Sequence, residues 1–353
     1  MGRSAGEKAG RERAPVSAYR ALAVGTAASL AFTGLIWLLA GRLADVPHAA
    51  DAGASWYYWK LIEPTAASRL TAWGFYLLHQ VSFWALIAYA QFKYAPRTAG
   101  RSRPRYSKSL RSVNYLALGV NGFFIVLHLV QTHLWYDGLA QDVSIWSALG
   151  SVVVMLVWVL LMENPRRGLF FGKKVGFPRR LTDAARRYHG YYFAWAIVYT
   201  FWYHPMEATS GHLIGFLYIF LLLLQGSLFL TRAHVNRWWT LALEVAVLAH
   251  GTLVAINQGE GMWPMFAFGF GGIFVITQMH GLGWSRPVRA LVLAAYVAGA
   301  LAVYAPLGWG RLNEVLRIPL IDYAAVFALA AIIGGILGLI HLLRGTRKEA
   351  EIR

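Results

Sequence analysis

Ten apolar runs, most of them close to 20 residues long, take up nearly the whole chain, at about 19–41, 70–92, 113–135, 143–162, 188–205, 211–231, 238–257, 263–281, 288–306 and 319–343. A helix of that length spans the ~30 Å hydrocarbon core of a bilayer. The expected fold class is therefore all-α: a polytopic integral membrane helical bundle of about ten transmembrane helices. Composition agrees, with 58% hydrophobic and 14% charged residues and a mean hydropathy of +0.46.

The net charge of +17 does not indicate nucleic acid, because the basic residues are confined to the connections between alternate segments. Lys93, Arg97, Arg101, Arg103, Arg105, Lys108 and Arg111 follow the second segment; Arg166, Arg167, Lys173, Lys174, Arg179, Arg180, Arg186 and Arg187 follow the fourth. Arg232 and Arg237, Arg286 and Arg289, and Arg344, Arg347, Lys348 and Arg353 continue the pattern, whereas the opposite connections hold only Arg42, Lys60, Arg69, Arg311 and Arg317. Basic loops stay inside, so both termini are expected in the cytoplasm and the protein in the cell inner (plasma) membrane. Residues 1–18 read as a disordered basic tail, 19–343 as a single transmembrane domain and 344–353 as a second cytoplasmic tail. Helices two to eight, about 70–281, form the expected functional core. Segments nine and ten lack deep polar groups except near Asp322 and His341, and are expected at the periphery.

Cysteine is absent, which excludes disulfides, thiolate nucleophiles, cysteine-held iron–sulfur clusters and c-type haem attachment. There is no G-x-S-x-G elbow, phosphate-binding loop, dinucleotide fingerprint or H-E-x-x-H helix. Chemistry must be sought among buried polar side chains.

Six of the eleven histidines, His79, His128, His133, His204, His212 and His250, fall in the outer half of the membrane although they come from five segments. At ~1.5 Å of rise per residue His128 lies roughly 22 Å up its helix and His250 roughly 18 Å up its own. A lone histidine near a helix end ordinarily snorkels or binds a carbonyl. Six at one depth point to a shared metal site, since titratable groups in a bilayer are costly and retained for function. Asn114, Asn121 and His128 recur every seven residues and share a face with Gln131, which must look inward.

The segment from Trp202 to His212 is the densest in polar groups, with His204, Glu207 and His212 around a turn marked by Pro205 and Gly211. Two histidines and a carboxylate suit non-haem iron, zinc or manganese. Glu207 and the deeper Glu244 are the candidate catalytic or proton-carrying carboxylates.

A second layer, His189, His234 and His280, lies near the cytoplasmic ends and is assigned to cofactor binding. His189 and His204 on one helix resemble the two-layer arrangement of membrane cytochromes of the b type, in which histidines at the two ends of a helix each ligate one haem. That resemblance implies a second pair, His234 and His250. The separations here, fifteen and sixteen residues, are longer than that family's usual spacing, and His234 belongs partly to a loop.

The expectation is a membrane metalloprotein, an oxidoreductase with a histidine-ligated iron, haem b or copper site, zinc also being compatible. It would act on a lipid, quinone or other apolar molecule from the bilayer, with membrane lipids as its other partners. The alternatives are a dihaem electron-transfer protein and a proton-coupled transporter in which the same histidines and Glu207 or Glu244 carry protons. The topology has a direct test. A reporter active only outside the membrane should be silent when fused after Arg353 and active when inserted near Gly138 or Met206; activity after Arg353 would invert the orientation.

Overall fold

A computed structural model of the chain describes residues 16–50, 60–94, 106–259 and 261–351, with side chains to residue 343. The expected N-terminal tail before residue 16, the arginines at 97, 101, 103 and 105, and the side chains beyond 343 lie outside the described residues. Among the described residues the regular structure is ten α-helices joined by loops and short 3-10 turns: α1 (Ala18–Leu39), α2 (Ala66–Tyr94), α3 (Ser112–Trp135), α4 (Ile145–Arg167), α5 (Arg179–Phe201), α6 (Ser210–Ser227), α7 (Arg237–Gln258), α8 (Trp263–Ile276), α9 (Arg286–Leu307) and α10 (Glu314–Glu351).

Seven helical segments are long and apolar enough to cross a membrane: Ala18–Leu43, α3, α4, α6, α7, α9 and Trp309–Leu343. The other three differ for visible reasons. Polar groups interrupt α2, among them Arg69, His79 and Gln80. Helix α5 begins at Arg179 rather than at 188, because a basic turn containing Arg180, Asp183, Arg186 and Arg187 precedes its apolar part and escapes a reading based on hydropathy. Helix α8 has 14 residues, about 21 Å of rise, which is short of a ~30 Å core.

Successive helices alternate in direction, and hydrogen bonds between connections define the two ends of the bundle. At the end rich in arginine and lysine, called here the basic end, Ala18 N donates to Lys108 O at 2.9 Å, Ser107 N to Leu230 O at 3.0 Å and Phe171 N to Ile276 O at 2.8 Å. At the opposite, distal end, Leu139 N donates to Trp202 O at 3.0 Å, Ala140 N to Tyr203 O at 2.9 Å and Arg311 Nη2 to Gly261 O at 2.7 Å.

One core lies among α2, α3, α5 and α6, with Phe83, Phe124, Phe201, Trp202, Phe216 and Phe220 buried in it. A second joins α4, the start of α5, α8 and α10 around Leu160, Leu161, Ile273, Tyr323 and Val326. Helix α10 is thus more central than its sequence suggests. It packs on α8, α4 and α5, and Tyr323 shares a 2.7 Å hydrogen bond with Thr277. Helix α9 packs on α8 and buries little beyond Ala300 and Tyr304.

Helix α5 ends at Phe201, four residues ahead of Pro205, because the carbonyls of Trp202 and Tyr203 turn to the 139–140 backbone instead of continuing the helix. That zipper needs a bare backbone at Gly138. A Cβ there would meet Tyr203 O at 2.6 Å and the Cα of His204 at 2.7 Å, closer than nonbonded atoms approach. The connection after α3 is thereby clamped onto the turn that carries His204 and Glu207.

Candidate histidine sites

The inward face of α3 holds the distal half together. Asn114 donates to Ser227 O and Phe229 O, both at 2.9 Å, and accepts from Arg111 N at 2.9 Å. Asn121 donates to Ser227 Oγ at 2.8 Å and accepts from His79 Nε2 at 2.9 Å. Trp202 Nε1 donates to the other nitrogen of His79, Nδ1, at 3.2 Å. His79 is fully buried, stacked on Phe124 with ring centroids 4.3 Å apart. Both of its ring nitrogens are spent on neighbours, so neither lone pair remains for a metal.

His128 lies between two acceptor oxygens, to one of which its single N–H donates. Its Nε2 lies 3.1 Å from the His204 carbonyl and its Nδ1 3.2 Å from Gln131 Oε1. The Gln131 amide is oriented by its other end, which donates to Asp137 O at 3.3 Å. The ring packs against Trp202 at 4.3 Å and Phe201 at 4.8 Å. His133 turns back on its own helix, donating from Nδ1 to Leu129 O at 2.8 Å. The six outer histidines therefore do not form one site. His79 and His128 are hydrogen-bonded struts, and His133 stands apart.

The remaining three are neighbours. His204 and His212 meet edge to face at 4.7 Å between ring centroids, and Phe216 lies 5.1 Å from His204. His212 pairs with Thr209 Oγ1 at 2.7 Å. His250 reaches the same corner from α7. Its Cε1 lies where a Cβ on Gly215 would be only 2.9 Å away, so the missing side chain lets the imidazole rest on the α6 backbone one turn from His212. Nδ1 of His250 is buried without a hydrogen bond among the described residues.

Glu207 does not complete a set of two histidines and a carboxylate with this trio. Tyr136 donates to its Oε1 at 2.6 Å, and Nε2 of His48 lies 2.7 Å from the Tyr136 hydroxyl and 3.9 Å from Glu207 Oε1. Among the described residues no group of three or more His, Asp or Glu is spaced to hold a metal ion. Of the six outer histidines the geometry thus brings His204, His212 and His250 together, and it sets Glu207 against Tyr136 and His48.

Glu244 lies apart from these histidines, on the face of α7 toward α4. It forms a two-pronged ion pair with Arg167, Nη1 to Oε1 at 3.0 Å and Nη2 to Oε2 at 2.7 Å, with both side chains buried. The pair ties α4 to α7.

At the basic end two of the three second-layer histidines come together. His189 on α5 and His234, in the connection from α6 to α7, have ring centroids 6.3 Å apart. Nδ1 of His189 donates to Arg186 O at 2.7 Å, and Nδ1 of His234 donates to Gln225 O at 2.9 Å. Gln225 is itself fixed, donating to His234 O at 2.9 Å and accepting from Trp239 Nε1 at 2.7 Å. These carbonyl bonds place the proton of each ring on Nδ1 and leave Nε2 as the lone-pair atom. Burial, and then the adjacent His189 ring, push the His234 imidazole down to about 4, so it is neutral at pH 7. His280 is elsewhere, bonded to Val275 O at 3.2 Å and to Arg289 Nη1 at 2.9 Å.

Sequence reasoning missed His48, Tyr136 and the ion pairs of Arg69, which joins Asp137 at 2.7 Å and also Asp142. One signal was present: Arg69 is among the few basic residues on the distal side, and in an apolar protein such a residue needs an acidic partner. The Arg167–Glu244 pair has a measurable consequence. Arg167→Met alone should lower stability by about 3–5 kcal/mol, because it strands a buried carboxylate. Arg167→Met with Glu244→Met should recover most of the loss, measured by thermal unfolding in detergent; equal losses in single and double variants would remove the ion pair from the account.

Comparison of the chain with protein-family models, with curated proteins and with solved structures finds no match. The bearing of these residues on function thus lies in their geometry alone.

Proposed function

We propose that this chain is a membrane redox protein that holds a haem b between His189 and His234, passing electrons to or from an apolar molecule in the bilayer. The observation that carries the reading is the geometry of that pair. Two imidazoles that hold one ion through bonds of ~2.0 Å would have ring centres roughly 6 Å apart, and the observed separation is 6.3 Å. Each ring also donates Nδ1–H to a backbone carbonyl, the outer contact that orients a ligating histidine and raises its basicity.

The donor set favours haem over a bare ion. Two protein ligands are too few for zinc or a non-haem iron centre, but they suffice for a cofactor that brings its other ligands with it. Arg187, Arg232 and Arg237 flank the two histidines in sequence and are exposed, supplying the positive charge that the carboxylates of a haem require. When bound, the haem supplies one-electron chemistry. The chain supplies the rest: Arg186 O and Gln225 O hold the ring orientations, Phe193 packs 5.2 Å from His189, and Trp239 fixes Gln225. Exposed Tyr188, Val235 and Trp238 beside the pair offer an apolar partner an approach from the lipid.

The arginine-rich connections support a cytoplasmic position for the basic end, both termini inside, and an inner-membrane location with α2, α5 and α8 embedded beside the seven apolar spans. The second reading is a proton-coupled transporter, favoured by the adjacent His204, His212 and His250 at the distal end. The absorption spectrum separates the two. Full-length protein expressed with haem precursors should purify with about one haem per chain. His189→Ala and His234→Ala should each weaken and shift the visible bands as one of the two ligands is lost, whereas His280→Ala and His133→Ala leave them unchanged. Folded, colourless wild-type protein would end the haem reading and leave the transporter.

A further inference from the structure

At the distal mouth, far from the His189–His234 pair, three side chains that the redox reading does not use are joined in series. We infer that His48, Tyr136 and Glu207 form a proton-transfer relay that carries protons from the aqueous side into the bundle. The hydrogen bonds fix its direction. Tyr136 gives its only hydroxyl proton to Glu207 Oε1 at 2.6 Å, so its oxygen accepts from Nε2–H of His48 at 2.7 Å. His48 then has Nδ1 as its lone-pair atom, and its side chain is 28% exposed where that of Glu207 is 15% exposed.

The step balances without any electron moving. Nδ1 of His48 takes a proton from a hydronium ion, leaving water; Nε2–H passes to the Tyr136 oxygen as the hydroxyl proton of Tyr136 passes to Glu207. The products are a neutral Glu207 acid, an intact tyrosine and a neutral His48 in its other tautomer. One O–H bond forms on Glu207 and one N–H bond on Nδ1, while one O–H bond breaks on the hydronium ion, one N–H bond breaks on Nε2 and the tyrosine hydroxyl is replaced in kind.

Two features separate this arrangement from an incidental surface cluster. Tyr136 closes α3 with φ +33°, a left-handed conformation that costs on the order of 1–3 kcal/mol in a bulky residue. It is held there by the zipper of residues 139 and 140 onto Trp202 and Tyr203. The tyrosine hydroxyl therefore stands between the two titratable groups, which are 3.9 Å apart and do not bond directly. The charges nearby are also spoken for. Arg69 is committed to Asp137 and Asp142, so among the described residues Glu207 meets only Tyr136 and His48. The turn bearing Glu207 carries His204 three residues earlier and Thr209, the partner of His212, two residues later.

The test uses full-length protein in lipid nanodiscs and time-resolved infrared spectroscopy after a downward pH jump. The carboxylic-acid band of protonated Glu207 is identified by its loss in Glu207→Gln. Tyr136→Phe keeps the ring and removes the bridging hydroxyl; it should slow the appearance of the band roughly 100-fold while leaving its final amplitude unchanged. His48→Asn, which removes the entry group without touching the strained turn, should slow it comparably and serves if Tyr136→Phe does not fold. An unchanged rate in either folded variant would overturn the relay. The band does not depend on haem, and haem content read on the same samples shows whether the redox reading stands or falls separately.

Discussion

A polar side chain inside an apolar bundle must find its partner within the protein, because lipid offers none. The inward face of α3 shows how much structure that rule fixes. Asn114 and Asn121 bind the end of α6, Asn121 and Trp202 take the two nitrogens of His79 on α2, and His128 holds the His204 carbonyl beyond α5. Sliding any of these four helices by one turn would break several buried hydrogen bonds at once, each worth about 1–3 kcal/mol when one partner is left unsatisfied. The register of the distal half, and with it the placement of the turn from Trp202 to Thr209, follows from this ladder.

The ladder also divides the histidines by role. Those with both ring nitrogens engaged, His79 and His128, hold helices together. Those with one nitrogen engaged by a carbonyl, His189 and His234, have a lone pair left over and lie close enough to share a partner. Depth in the membrane does not distinguish the two classes, whereas hydrogen bonding does. The basic end thus carries the pair to which we assign the redox cofactor, and the distal end carries the chain of His48, Tyr136 and Glu207. In a protein with both, electron transfer at one end and proton movement at the other are physically separable.

Much of the architecture is legible in the sequence, because apolar length is a local property: the ten runs correspond to the ten helices, and the spacing of Asn114, Asn121 and His128 identifies the buried face of α3. The amphipathic start of α5 was not legible, since its five charged residues hide a helix from hydropathy. Nor was the centrality of α10, whose buried contacts are made by Tyr323, Val326 and Ala330, residues that would look the same against lipid. The candidate sites were harder still. Sequence gives the height of a side chain on its helix but not its neighbours, so His79 through His250 look alike until their partners are known. His189 and His234 meet because a loop, not a helix, carries His234 back toward α5. Tyr136 and His48 sit outside the apolar periodicity altogether, one in a strained helix cap and the other in a connection.

We propose that His189 and His234 ligate one cofactor together. Low-temperature electron paramagnetic resonance of the oxidised, purified full-length protein addresses it most directly, because the spin state of ferric haem reports how many strong axial ligands it has. Ligation by both histidines gives a low-spin signal in the wild type, a high-spin signal in His234→Gly and return of the low-spin signal when imidazole is added to that variant. A low-spin signal that persists in both His189→Gly and His234→Gly would place the ligands elsewhere and contradict it.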